Sequence, residues 1–141
     1  MTREPLISII LPVYNGIANI EKALDSVVKC QSKKTELIVK DGGSTDGTYE
    51  YINSIQSESL ILIDGEDSGI YEAINNAIDE ASGLWYYIMG VDDVLVPGSI
   101  ESVASYLQND RTIYYGNVYR KQQKTVYDGK FTAHKLLKKN I

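Results

Sequence analysis

The 141 residues, 43% apolar and 23% charged, have the size and composition of one globular domain that can bury a single core. A net charge of −5 disfavours nucleic acid as a partner, because a phosphate backbone attracts a basic surface. Cys30 is the only cysteine, which excludes an internal disulfide. Without an apolar run of about 18 residues or a signal-peptide pattern, we expect a cytoplasmic protein.

Apolar runs alternate with amphipathic segments along most of the chain. The runs predict strands at residues 6–11, 36–40, 60–63 and 84–89. The amphipathic segments predict a helix from Asn19, helices at 48–55 and from 70 to about 81, and a helix that opens at Pro97. Predicted helix signals are N-caps at Asn19 and Asp46 and a C-terminal stop at Gly83. This order predicts an α/β fold with a mostly parallel sheet and helices on both faces.

Two of these helices have a clear apolar stripe. The stripe of the first comprises Ile20, Ala23, Leu24, Val27 and Val28, and that of the fourth Ile100, Val103, Ala104 and Leu107. We expect Cys30, at the end of the first helix, to be a small buried hydrophobe.

The pattern changes after Asp110. Tyrosine-rich segments at 112–120 and 124–131, separated by a polar turn, predict an antiparallel hairpin. Residues 132–141 are typical of a helix but have no stop signal, so we expect the domain to continue past Ile141. The lysines here favour a solvated helix face over contact with an anionic membrane; they are Lys130, Lys135, Lys138 and Lys139.

Polar loops follow three predicted strands. In an open parallel sheet ligands bind beyond the carboxyl ends of the strands, so residues 12–16, 41–48 and 90–93 are expected at one functional edge. Asp92 and Asp93 end an apolar strand, where two like charges favour a compensating Mg²⁺ or Mn²⁺. The alternative is that Asp92 caps a turn and Asp93 is solvated.

The second loop favours a nucleotide. Asp41 can accept from the N–H edge of a base, and Gly42 and Gly43 let backbone approach a ligand; a plain tight turn is the alternative. No strand is followed by a dinucleotide fingerprint or a P-loop. Tyr14 is placed to stack on a base, whereas Trp85 is expected in the core. The only histidine, His134, has no recognisable partner for a hydrolase or zinc site, which leaves those functions without support.

Four motifs in this order resemble family 2 of the inverting nucleotide-sugar glycosyltransferases, whose donor half has a GT-A fold. They are IILPVYNG (9–16), LIVKDGGSTDGT (37–48), DSGIYEAIN (67–75) and GVDD (90–93). The resemblance covers roughly residues 8–115, and the third motif is similar to the version in enzymes that assemble bacterial surface polysaccharides. Ile74 is a departure, because many relatives carry Arg there.

The resemblance implies a set of site residues. The nucleotide-sugar-binding residues it implies are Pro12, Val13, Tyr14, Asn15, Asp41, Gly42, Gly43, Ser44, Asp67, Gly69, Asn75 and Asp92. It further implies that Asp93 is the direct ligand of a divalent metal, Mn or Mg, with Asp92 beside it.

The implied reaction moves a sugar from a nucleotide diphosphate to an acceptor hydroxyl, with inversion. The acceptor would be a glycan or lipid-linked saccharide, reached at the inner face of the membrane. The resemblance places a carboxylate general base in an acceptor-binding part, expected after Ile141, and Asp128 is a poor candidate. Residues 1–141 would then form a single donor domain that binds donor without transfer and self-associates through uncovered apolar surface.

The sequence leaves two alternative functions. A nucleotidyltransferase is disfavoured because residues 12–16 contain no Lys or Arg. The other is a non-catalytic nucleotide-binding module.

Overall fold

The computed structural model describes residues 5–30, 34–55, 57–108, 113–114, 118–120 and 122–127. The chain divides into two compact units, Met1–Tyr106 and Leu107–Ile141. The described part of the first unit contains β1 (Ile7–Val13), α1 (Ile17–Cys30), β2 (Thr35–Asp41), α2 (Thr48–Asn53), β3 (Leu60–Asp64), α3 (Ile70–Asp79), β4 (Trp85–Ile88) and α4 (Ser99–Ala104). Most boundaries lie within one or two residues of those predicted.

The four strands of this unit form a parallel sheet in the order β3-β2-β1-β4. The chain steps outward from β1 to β3 and then returns past β1 to β4. With right-handed crossovers, this reversal places α3 on the face opposite α1 and α2, and α3 contacts both β1 and β2. The predicted parallel sheet with helices on both faces is confirmed.

The core lies on both sides of β1 and β2. Ile10 and Ile38 pair in register and pack with Ala77 of α3, and all three are fully buried. Because successive side chains in a strand alternate between faces, Ile9 and Leu37 point to the opposite face, where they too are buried. Burial of each such side chain contributes about 1.5–3 kcal/mol.

Pro12 does not end the first strand, contrary to the prediction. β1 continues to Val13, and Pro12 pairs with Lys40 of β2. The carbonyl of Ile10, two residues earlier, accepts from the N–H of Met89, just after β4. Because residues two apart in a strand direct their backbone groups to the same side, the Pro12 nitrogen also faces the β4 side. The β4 pairing ends at Ile10, and β1 is therefore a local edge where the missing N–H of proline is tolerated.

Two predicted N-caps are wrong in position. α1 begins at Ile17, so Asn19 lies inside the helix. The N-cap of α2 is Gly47, with φ 98°, rather than Asp46. Asp46 still accepts from the N–H of Thr48 at 3.1 Å through one oxygen and from that of Ile17 at 3.1 Å through the other. One carboxylate thus serves the first turns of both helices.

Gly83 is not the stop of α3, which ends at Asp79 with Glu80 as its C-cap. The N–H of Gly83 instead donates to Ser8 Oγ at 2.9 Å. A Cβ at Gly83 would lie 2.5 Å from the same oxygen. Glycine is required here for close approach to β1 and not for a helix end.

Two predicted stripe residues are on the surface. Val28 is 56% exposed and Val103 is 42% exposed. Ser26 takes a buried position on α1, where its hydroxyl accepts from the N–H of Leu95 at 3.1 Å. Cys30 is buried and free, as predicted.

The described part of the second unit contains β5 (Val118–Arg120) and β6 (Thr125–Tyr127), which pair antiparallel and confirm the predicted hairpin. The predicted helix at 132–141, the tail lysines, His134 and Asp128 lie outside the described residues. In the part of the chain that the structure describes, every helix is too short or too polar to cross a bilayer.

Candidate functional site

The loops after β1 and β2 are joined by hydrogen bonds at the carboxyl edge of the sheet. The N–H of Asn15 donates to Ser44 Oγ at 2.8 Å, and its side-chain oxygen accepts from the N–H of Thr45 at 2.9 Å. The N–H of Gly16 donates to Thr48 Oγ1 at 2.9 Å. The side chains of Asn15 and Ser44 therefore hold the loops together.

A cleft of about 580 Å³ opens at this edge, beyond β1, β2 and β3. Seven of the predicted binding residues line it: Pro12, Val13, Tyr14, Gly42, Gly43, Asp67 and Gly69. Four further lining residues were not predicted, namely Glu66, Ser68, Ile70 and Ala73. These four residues flank Asp67 or follow it into α3. The sequence signal that could have identified them was their position beside a predicted binding residue.

Five predicted binding residues do not line the cleft. They are Asn15, Asp41, Ser44, Asn75 and Asp92. Asn75 lies exposed on α3. Tyr14, which does line the cleft, is 65% exposed and leaves an aromatic surface open to a ligand.

The glycines of the second loop are needed by the protein itself. A Cβ at Gly42 would lie 2.9 Å from Asp67 Oδ2, and one at Gly43 would lie 3.2 Å from Glu66 Cγ. Gly43 also has φ 85°, a conformation that other residues rarely adopt. Both glycines let the β3–α3 loop approach the β2–α2 loop and form the cleft between them.

Asp41 ends β2 directly before Gly42, which lines the cleft, and its side chain is fully buried. Its Oδ1 accepts from the N–H groups of Gly43 at 2.9 Å and Ser44 at 2.7 Å, so the carboxylate does organise the tight turn. Its Oδ2 is buried with no hydrogen-bond partner among the described residues. A buried acceptor without a donor costs about 1–3 kcal/mol, which a ligand N–H would offset.

Lys40 is a functional candidate that the sequence did not reveal. It ends up 2% exposed, and its Nζ donates to the carbonyl of Asp41 at 2.7 Å, to the carbonyl of Gly65, and to Asp67 Oδ2 at 3.3 Å. A lysine in an apolar strand carries no signal that two of its partners, Gly65 and Asp67, lie 25 and 27 residues away.

The first turn of α3 closes one end of the cleft. Glu72 Oε2 accepts from the N–H of Ser68 at 2.6 Å and also from its hydroxyl. The hydroxyl bond, followed by the backbone bond, holds the pKa of Glu72 below its ordinary value. The carboxylate satisfies one backbone N–H that precedes the helix, that of Ser68.

Asp92 and Asp93 follow β4 and are both exposed. Asp93 Oδ2 accepts from the N–H of Gly90 at 3.2 Å. A Cβ at Gly90 would lie 2.9 Å from Asp92 Oδ1 and 3.2 Å from Asp93 Oδ2, so one oxygen of each carboxylate lies beside Gly90. Among the described residues no group of three or more metal-ligating side chains occurs. Two oxygens fit Mg²⁺ or Mn²⁺, which use one or two protein carboxylates.

The β4 loop belongs to the same edge. A Cβ at Gly16 would lie 3.0 Å from a methyl group of Val91, so this loop packs against the one after β1. Burial, and secondarily the charge of Asp93, raises the pKa of Tyr87 above its ordinary value. The edge thus unites all three predicted loops, as expected from parallel strands.

A 33% identical relative is a "PGL/p-HBAD biosynthesis glycosyltransferase" of Mycobacterium tuberculosis; the match covers 97% of this chain and 56% of the relative. An uncharacterized glycosyltransferase of Rickettsia bellii is 34% identical over 94% of this chain and 19% of its own length. The chain therefore spans about half, or less, of the relatives it matches.

Two solved structures share the fold. S. aureus TarS, in complex with UDP-GlcNAc, is 24% identical with a TM-score of 0.67, covering 72% of this chain and 30% of that one. The mannosyltransferase PcManGT of Pyrobaculum calidifontis, in complex with GDP-Man and Mn²⁺, is 27% identical with a TM-score of 0.67, covering 77% and 34%.

The alternatives weighed from the sequence, a nucleotidyltransferase or a non-catalytic module, are not favoured by any of these matches. The profile described as "Glycosyl transferase family 2" matches residues 8–140, nearly the whole chain. With the parallel sheet, the shared loop edge and these relatives, the match shows that the chain belongs to glycosyl transferase family 2.

Proposed function

We propose that this chain binds the nucleotide-sugar donor of an inverting glycosyltransferase, which moves the sugar to an acceptor hydroxyl of a glycan or lipid-linked saccharide. The observation that carries the proposal is the cleft at the carboxyl edge, together with Asp41 Oδ2, which has no partner among the described residues and belongs to the residue just before the lining residue Gly42. The resemblance of residues 67–75 to enzymes that assemble bacterial surface polysaccharides supports a cell-surface product, and the mycobacterial relative is named for PGL/p-HBAD biosynthesis.

We assign the nucleobase of the donor to the end of the cleft next to Asp41. Asp41 Oδ2 is an acceptor with no donor among the described residues, so an N–H of a pyrimidine or guanine would satisfy it. Because Oδ2 is buried, contact with a ligand requires displacement of the atoms that cover it. Tyr14 offers an exposed ring for stacking. Asp67 and Gly69 form the facing wall.

Asp92 and Asp93 are the residues that would hold a divalent cation, with Asp93 as the direct ligand. The exposed position of both carboxylates leaves room for water and substrate phosphates to complete the coordination. When bound, the metal offsets negative charge on the diphosphate leaving group. Mn²⁺ in the complex of PcManGT supports this choice.

The reaction is a single in-line displacement. The bond from the anomeric carbon to the diphosphate oxygen breaks as the acceptor oxygen forms its own bond, and the acceptor proton passes to a general base. No residue of this chain is assigned as that base. The role of the described residues is to bind and orient the donor.

Isothermal titration of the chain with UDP and GDP tests the proposal. We expect at least one of them to bind in Mn²⁺, and excess chelator or Asp93→Asn to weaken that binding about tenfold or more, equivalent to about 1.4 kcal/mol. Asp25→Asn is the matched control, because Asp25 lies exposed on α1. Binding of neither nucleotide would contradict the donor assignment. Equal binding with chelator would contradict the metal assignment alone.

A further inference from the structure

A buried cation lies beside the cleft, at a position where the sheet otherwise holds apolar side chains. Lys40 shares its face of β2 with Ile38, which packs on Ala77 of α3. Removing an ammonium group from water is costly, and a buried ion pair is often no more stable than an apolar replacement. Stability of the sheet alone therefore gives little reason for a lysine here.

The three N–H donors of Lys40 have three acceptors, and two of them belong to the β3–α3 loop. These are the carbonyl of Gly65 and Asp67 Oδ2; the third is the carbonyl of Asp41. Gly65 has φ 133°, and a Cβ there would meet nothing within 4 Å. Among the described residues nothing packs on the loop at Gly65, and Lys40 attaches this part of the loop to β2.

The oxygen of Asp67 that pairs with Lys40 also faces the β2–α2 loop. Asp67 Oδ2, which pairs with Lys40, would lie 2.9 Å from a Cβ at Gly42. Lys40 therefore sets the distance between two walls of the cleft, next to Asp41. None of the described residues that line the cleft is basic, whereas Glu66 and Asp67 are acidic. Lys40 supplies positive charge where an anionic ligand would otherwise be repelled.

We infer that Lys40 is a positioning residue for nucleotide binding, which acts by holding Asp67 and its loop at the spacing that the donor requires. The inference rests on the proposed function. It adds a residue that touches no ligand but determines affinity through the residue it pairs with.

The test is a double-mutant cycle on the 141-residue chain, with UDP and GDP titrated in Mn²⁺. Lys40→Met should remain folded, with a cooperative melt, and raise the dissociation constant about tenfold or more. In an Asp67→Asn background the same change should have no further effect. Lys40→Arg should recover part of the lost affinity, because it restores the charge. Lys29→Met, at an exposed lysine of α1, is the matched control.

A purely structural role predicts a different result. In that case Lys40→Met would have a lower melting temperature, but the folded variant would bind nucleotide as tightly as wild type, which would overturn the inference. Losses of affinity that add in the Lys40→Met, Asp67→Asn double variant would overturn it as well. If Lys40→Met does not fold, Lys40→Gln replaces it under the same criteria, because it keeps two N–H donors without the charge. A wild-type chain that binds neither nucleotide would overturn the proposed function and this inference together, whereas wild-type binding with unchanged binding by the variant overturns only the inference.

Discussion

The two carboxylate oxygens of Asp41 have different surroundings. Oδ1 accepts from two backbone N–H groups of the turn, at 2.9 and 2.7 Å, and Oδ2 has no partner among the described residues. The residue is therefore both a turn former and a candidate for base recognition. A substitution that changes only Oδ2 would separate the two roles.

Asp41→Asn is that substitution, because the amide oxygen can keep the two turn hydrogen bonds while the NH₂ group replaces the free acceptor. We expect the melting temperature to change little and the nucleotide dissociation constant to rise by the equivalent of about 1–3 kcal/mol. Asp41→Ala, which also removes the turn hydrogen bonds, should lower stability as well. For both variants, titration measures the dissociation constant and thermal melting measures stability. An Asn variant that binds like wild type would leave Asp41 with its turn role only.

At the scale of elements, one side chain at the amino end of the sheet connects three segments. Glu36 of β2 accepts from the hydroxyl of Ser8 in β1 at 2.5 Å, from the N–H of Ser82 at 2.7 Å and from the N–H of Gly83 at 3.2 Å. Partial burial alone would raise the pKa of Glu36, but these hydrogen bonds outweigh it and leave the pKa below its ordinary 4.5.

This depressed pKa predicts how stability depends on pH. The carboxylate binds protons less readily in the folded state, so its contribution is fully present above pH 4.5 and is lost as pH falls through the folded pKa. Glu36→Gln should lower the free energy of unfolding by about 1 kcal/mol at neutral pH, a small value because solvent weakens a partly exposed group. The difference from wild type should shrink in acid. Urea titrations at several pH values measure it, with Glu58→Gln, an exposed residue, as control. A pH-independent difference would contradict the prediction.

At the scale of the whole molecule, the cleft depends on assembly of the complete sheet. The cleft forms between loops that follow three different strands, so it exists only when the sheet is assembled. A ligand of the cleft should therefore bind the folded state alone and stabilise it by mass action.

At a hundred times its dissociation constant, the bound nucleotide should raise the free energy of unfolding by about 2.7 kcal/mol in Mn²⁺. Urea denaturation with and without ligand measures the change, and Asp41→Asn at the same ligand concentration should show less of it. Equal stabilisation of the folded and unfolded chain, seen as no shift of the midpoint, would mean that binding does not need the assembled edge.

Local patterns in the sequence predicted the strands, helices, parallel sheet and loop edge. Continuous apolar runs and 3.6-residue stripes are properties of neighbouring residues, and they survive without knowledge of the fold. Glycines and carboxylates at strand ends likewise predicted much of the cleft, because parallel strands bring their carboxyl ends to one edge. Residues 9–16, 37–48, 67–75 and 90–93 were sufficient to indicate the family.

The tertiary structure decided which of these polar groups line the cleft and which bind one another. Asn15 and Ser44 form a hydrogen bond that joins two loops. Lys40 pairs with Asp67, which lies 27 residues away in the sequence. Pro12 could stay in β1 only because the β4 pairing ends earlier. Each outcome depends on strand order and register, which bring residues together that no local pattern connects, and those are set by packing of the whole sheet.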